Sequence, residues 1–152
     1  MTRFIITLTQ GVDFVIKNIA RMKGGEIFVP KIPSVGILDI AKAVAPDCEI
    51  NIVGIRPGEK LHEVMVPADD ARRTVEFSDR FVIFPDSADV RQHARAAGAK
   101  ACPEGFEYAS NNNTFWLDDR ELSRLIDAKY LPDAGRQVGV NLAGRAVASP
   151  SV

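Results

Sequence analysis

The residues best suited to chemistry in this chain are packed into Arg56-Pro57-Gly58-Glu59-Lys60. Pro57 fixes its own φ and biases Arg56 toward an extended conformation, while Gly58 permits a turn that a side chain would resist. An arginine held at the end of a strand beside such a turn can offer a planar fork of donors to a phosphate or a carboxylate. The same residues also read as a surface turn with solvated charges, because Arg-Pro-Gly is a short motif. Two other polar clusters match it in kind: Thr2-Arg3 at the N-terminus and Ser110-Asn111-Asn112-Asn113 further on. Asparagine runs commonly mark turns. Together, two arginines and an amide-rich loop suit a phosphorylated, hydroxyl-rich ligand. Such groups bind; they do not obviously catalyse.

Other chemistries fail on spacing. His62-Glu63 has Val66 where a zinc-protease pattern needs a second histidine. His93 sits among charged residues with no motif around it. There is no Gly-x-Ser-x-Gly elbow. Gly135, Gly139 and Gly144 do not have the spacing of a dinucleotide fingerprint and follow no strand pattern. Asp69-Asp70 reads as the acidic start of a helical turn rather than a metal pair, since carboxylates are favoured there electrostatically. Cys48 and Cys102, the only two cysteines, are far apart. Neither a disulfide framework nor a zinc site is expected, and a reducing cytoplasm is the default compartment.

Composition narrows the field further. At 152 residues and 46% apolar content, the chain can form one domain with a core. A net charge of −1 and the absence of a Lys/Arg cluster argue against nucleic acid as a partner. No apolar run reaches the ~18–20 residues of a membrane span. The apolar N-terminus leads directly into a helix signal and has no signal-peptide cleavage pattern.

The elements that must carry these residues follow from periodicity and caps. Thr7 and Gln10 form a capping box ahead of Val12, Val15, Ile16, Ile19 and Met22, which predicts a helix over about 8–22 with its apolar stripe in the core. Glu26–Pro30 reads as a strand, Ser34 as the cap of a helix ending before Pro46, and Glu49–Gly54 as a half-buried strand delivering Arg56. That strand–helix–strand order implies parallel pairing. Residues 69–73 suggest one helical turn, and 74–77 with 80–84 a pair of short strands. Residues 86–104 read as a loop or marginal helix, and 106–117 as a polar loop between aromatics. Asp118 and Glu121 box a final helix with Leu122, Leu125 and Ile126 facing inward. The fold class is a small mixed α/β (α+β) lobe over 1–131. Residues 132–152 lack anchors and are expected to form a disordered tail.

Four blocks, in order, carry a family likeness: Met-Thr-Arg-Phe at 1–4, Gly-Gly-Glu-Ile-Phe-Val-Pro-Lys-Ile-Pro-Ser at 24–34, Gly-Ile-Arg-Pro-Gly-Glu-Lys-Leu-His-Glu-Val-Met at 54–65, and Phe-Glu-Tyr-x-Ser…Asn…Trp-Leu at 106–117. The chain resembles the C-terminal part of nucleotide-sugar 4,6-dehydratases acting on UDP-N-acetylglucosamine, in the extended short-chain dehydrogenase/reductase group. These include flagellin-glycosylation and capsule-biosynthesis relatives, and the likeness covers about residues 1–127. In that family an N-terminal Rossmann domain holds NADP and carries a catalytic Tyr-x-x-x-Lys pair. Here Tyr108 is followed four residues later by Asn112, and Tyr130 by Ala134.

The resemblance implies a UDP-sugar-binding lobe that lacks the Rossmann domain, begins at a Met internal to the family and does not catalyse alone. It implies that Arg56 grips the pyrophosphate, Glu59 contacts ribose or orients the arginine, and Lys60 neutralises charge. Thr2, Arg3 and Asn113 would lie beside the ligand. Ile5 stands where the family usually has Trp, which removes aromatic surface from that segment. No catalytic, metal or cofactor site is expected in this chain; NADP would belong to the missing domain. Possible partners are a separate Rossmann-type chain or further copies of this chain. The rival readings are a non-catalytic docking or regulatory module and a nonfunctional gene remnant.

Overall fold

The computed structural model describes residues 1–86, 90, 93–95 and 98–130. Elements run β1 (Thr2–Phe4), α1 (Leu8–Ile19), β2 (Ile27–Pro30), β3 (Ser34–Gly36), α2 (Ile37–Val44), β4 (Val64–Val66), a 3-10 segment (Ala68–Arg73), β5 (Thr74–Glu76), β6 (Arg80–Ile83), β7 (Lys100–Ala101), β8 (Tyr108–Ala109) and α3 (Asp119–Tyr130). This is the small mixed α/β lobe expected from the sequence. Among the described residues there is no Rossmann sheet. The tail at 132–152 lies outside the described residues.

One four-stranded sheet, ordered β2-β6-β5-β7, holds the centre, and every pairing in it is antiparallel. Its inner strand β6 buries both faces, so alternate residues serve two cores. Phe81 and Ile83 join Val29, Val66 and Tyr108 on one side. Val82 and, beyond the strand end, Phe84 join Val75, Val90 and Ala99 on the other. Tyr108 is the hub of the first core: its ring lies 4.8 Å from both Phe4 and Phe81. Its hydroxyl accepts from Ile32 N and donates to Ile32 O, each at 3.0 Å. A buried phenol is thereby satisfied, and the β2–β3 connection is pinned to β8.

Two short two-stranded sheets flank the centre. β1 pairs with β3, placing Arg3 opposite Val35 and Phe4 opposite Ser34. β4 pairs with β8 through an irregular register at Val64–Val66. The capping box of α1 forms as the sequence requires, with Gln10 N donating to Thr7 Oγ1 at 3.2 Å and Thr7 N donating to Gln10 Oε1 at 3.0 Å. The equivalent box of α3 forms between Asp118 and Glu121.

Four expectations are corrected. First, Glu49–Gly54 forms no strand: residues 46–61 are exposed and the run has no neighbouring edge, so alternation alone does not yield β-structure. The parallel crossover therefore does not form. Second, the α1 stripe is not core. Phe14 and Asn18 face the body, Asn18 is the helix's one buried residue, and the apolar stripe faces solvent. Third, α1 ends at Ile19 rather than near residue 22, and a turn follows in which Asn18 O accepts from Arg21 N and Met22 N ahead of Gly24-Gly25. Fourth, Ser34 does not cap α2. It lies fully buried in β3, and Gly36 precedes the helix without a side-chain cap.

Candidate binding site

The Arg56 segment makes a defined turn without a strand to lead into it. Arg56 O accepts the N–H of Glu59 at 3.0 Å, with Pro57 and Gly58 at the corners and Gly58 at φ +80°. Proline then a positive-φ glycine is the pattern of a type II turn. The carboxylate of Glu59 closes it from the other side, accepting from Arg56 N at 3.1 Å. Glu59 thus holds the main chain of Arg56 and leaves the guanidinium exposed. Among the described residues, neither Arg56 nor Lys60 has a side-chain hydrogen bond or ion pair.

Thr2 and Arg3 take a different part. Arg3 folds its guanidinium onto the backbone that follows the turn, with Nη2 donating to Lys60 O at 2.9 Å and Nη1 donating to Thr2 O at 2.7 Å and Leu61 O at 3.3 Å. Its Nε lies 3.5 Å from Glu63 Oε1. Thr2 N donates to Leu61 O at 2.9 Å. The Thr2 hydroxyl lies 2.8 Å from His62 Nδ1 and 2.7 Å from Ser110 Oγ. These three side chains form a hydrogen-bonded relay, and the Ser110 hydroxyl is also placed to donate to Thr2 O at 3.2 Å. Ser110 Oγ also accepts from Glu63 N at 2.9 Å. The polar atoms of Thr2 and Arg3 are therefore spent on the protein, clamping the segment 60–63 to β1 and the loop after β8.

Asn113 lies elsewhere. Its Nδ2 is within 3.0 Å of Ile32 O, Ser34 Oγ and Phe115 O, and its Oδ1 accepts from Phe115 N at 3.2 Å. Its carbonyl accepts the Trp116 indole N–H at 2.7 Å. The amide ties this loop to β3, where Ser34 N donates to Phe115 O and Leu117 N donates to Ser34 O. Asn113 also lines an open cleft of about 450 Å³ with Lys31, Glu76, Phe106, Tyr108 and Phe115. Arg56, Thr2 and Arg3 do not line it. The structure thus joins Thr2 and Arg3 to the base of the Arg56 turn and places Asn113 apart.

His62 and Ser110 are the participants whose roles sequence reasoning missed. His62 stood out only as half of a failed zinc pattern, and Ser110 only as one member of an asparagine-rich polar cluster. Both matter through partners 60 and 108 residues away, respectively.

Other chemistry finds no seat among the described residues. No group of three or more His, Cys, Asp or Glu is placed to hold a metal. β1 and β3 each run into a helix, through Ile5-Ile6-Thr7 and directly at Gly36–Ile37, and neither carries the glycine-rich βα turn that grips a dinucleotide. No helix among them is long and apolar enough to cross a membrane.

Comparison with known proteins agrees with the motifs. The chain is 44% identical over 133 residues to a UDP-N-acetylglucosamine 4,6-dehydratase (inverting) of Campylobacter jejuni, covering 84% of this chain and 40% of that protein. A UDP-glucose 4-epimerase of Rickettsia canadensis is 32% identical over 132 residues, with 83% and 38% covered. The crystal structure of Pen from Bacillus thuringiensis superposes with a TM-score of 0.66 at 28% identity, covering 83% of this chain and 38% of that one. The chain thus spans about two fifths of the length of these relatives. Residues 1–85 match the family model described as polysaccharide biosynthesis protein, and they contain the Arg56 turn together with the β1 clamp that holds it. The chain belongs to this polysaccharide biosynthesis protein family.

Proposed function

We propose that this lobe binds the nucleotide end of a UDP-sugar, with Arg56 as the ligand to the pyrophosphate. One observation carries the reading. The main chain of Arg56 is fixed by the Pro57-Gly58 turn and by Glu59, while its guanidinium is exposed and unpaired among the described residues. A donor fork on a rigid mount loses little freedom when it takes an anion. Lys60 brings to the same loop a second cation with no partner among the described residues. Two relatives, each named for a UDP-sugar, support the choice of ligand class. In this reading Glu59 orients the main chain of Arg56, Thr2 and Arg3 clamp the base of the loop, and Asn113, placed apart, braces the loop against β3.

Binding, and no reaction step, is assigned to these residues. Calorimetric titration tests the assignment, with UDP as probe and uridine as the control lacking phosphates. Saturable binding of UDP, weak or absent binding of uridine, and a loss of at least about tenfold in Arg56→Ala are expected from removing charge-assisted hydrogen bonds. Equal affinity of the wild type and Arg56→Ala for UDP would overturn it.

A further inference from the structure

Lys31 follows the last residue of β2, and its side chain runs across the sheet. Its N–H donates to Asp79 O at 3.2 Å, just beyond the Pro30–Arg80 pair that ends the β2–β6 ladder. Its Nζ lies 4.9 Å from the centre of the Phe81 ring on β6 and reaches Glu76 Oε1 on β5 at 2.6 Å. Glu76 is the register partner of Phe81, so three adjacent strands bring a cation, a ring and a carboxylate together. These contacts lie within β2, β5, β6 and the residue after β2, so the geometry of the pair depends on no further segment. All three residues line the open cleft of about 450 Å³, a volume within the ~300–1,000 Å³ of small-ligand sites.

The chemistry of the cleft selects among ligands. Tyr108, Asn112 and Asn113 spend their polar side-chain atoms inside the protein. What is left is the second oxygen of Glu76, the remaining N–H donors of Lys31, and the hydroxyls of Ser78 and Thr114, none with a partner among the described residues. A donor and an acceptor bonded to each other are spaced much like the two oxygens of a vicinal diol, so each hydroxyl can take one of them. Phe106 and Phe115 add ring surface against which the C–H face of a pyranose packs. Anions are disfavoured. Even with Asp79 neutralised by Arg21 and Arg80, Glu76 and Glu107 outnumber Lys31 around the cleft. An amine gains little, since it must displace Lys31 from both Glu76 and Phe81.

We propose that this cleft is a second ligand site, taking an uncharged sugar through its vicinal hydroxyls, with Lys31 and Glu76 as paired donor and acceptor. It does not rest on the nucleotide reading, because Arg56, Lys60, Thr2 and Arg3 do not line it.

Saturation-transfer NMR on the full chain tests the proposal, with methyl glucoside as the probe and a glucose phosphate as its anionic control. Saturable transfer to the glucoside and weak transfer to the phosphate are expected. Lys31→Met keeps the stem over Phe81 but removes the donors, and Glu76→Gln keeps the shape but removes the charge. Each should lower glucoside affinity by at least about fivefold, with unchanged circular dichroism. Arg56→Ala and saturating UDP should leave glucoside binding as it was. Absence of transfer in the wild type overturns the proposal, and so does full affinity in either cleft variant. Displacement by UDP, or a loss in Arg56→Ala, overturns it by moving the sugar to the nucleotide turn. Equal binding of the phosphate overturns the selection for an uncharged ligand.

Discussion

Thr2 Oγ1 and Ser110 Oγ lie 2.7 Å apart although 108 residues separate them in the chain. The pair fastens the first strand to the loop after β8, and His62 and Glu63 N attach the segment behind the Arg56 turn to the same point. Ser110 is fully buried, so its alanine variant strands the N–H of Glu63 and breaks the relay. Ser110→Ala is expected to cost about 1–3 kcal/mol of stability, read as a lower urea midpoint with an unchanged m-value. Thr2→Val, at a half-buried position, should cost less. An unchanged midpoint for Ser110→Ala would show that the relay contributes nothing.

Gly58 isolates the role of the turn from that of its charges. Its φ of +80° is costly for any L-residue with a Cβ, yet a Cβ there would meet no atom within 4 Å. Gly58→Ala should therefore act through backbone strain of about 1 kcal/mol, in an exposed loop away from both cores. Affinity for UDP is expected to fall severalfold while the thermal midpoint moves by no more than a few degrees. A fall in stability without a fall in affinity would place the ligand elsewhere.

Asn113 serves as a brace in this structure. Asn113→Ala removes the donor shared by Ile32 O, Ser34 Oγ and Phe115 O, with an expected loss of about 1–3 kcal/mol. Trp116, the only tryptophan, donates to the backbone of the same residue and reports on the loop. Its emission should shift to the red in the variant. An affinity loss with the emission and midpoint unchanged would instead make Asn113 a ligand contact.

Alkaline pH should unfold this lobe earlier than its composition suggests. Burial, helped by the negative charge of Glu76, pushes the Cys102 thiol up to about 11 from an ordinary 9.0. Burial likewise raises the Tyr108 phenol above its usual 10.0, against the opposing hydrogen bond with Ile32. In both cases the unfolded chain loses its proton first. Stability is therefore full below about pH 9, and the Cys102 contribution is lost as pH rises from there toward 11. Urea midpoints measured across this window should fall steeply for the wild type and less steeply for Cys102→Ala. Parallel curves for the two would remove Cys102 from the explanation.

The sequence by itself determined what is local. Thr7 with Gln10 and Asp118 with Glu121 fix two helix starts, because a capping box closes within four residues. Pro57-Gly58 fixes the turn at Arg56 because the φ of one residue is locked and that of the other is released. The 74–77 and 80–84 hairpin was legible because its strands are adjacent, and the four ordered motif blocks carried the family.

Only the tertiary structure decided which apolar face finds a wall. Glu49–Gly54 and the α1 stripe have the right periodicities, but periodicity states only that a face wants burial. Whether it is buried depends on neighbours distant in the chain, and among the described residues neither face has one. The same reason governs the polar residues. Arg3, Thr2 and Asn113 were legible as hydrogen-bonding groups. That Arg3 spends its donors on Lys60 and Leu61, while Arg56 has no side-chain partner among the described residues, follows from contacts between β1 and a segment 57–60 residues away.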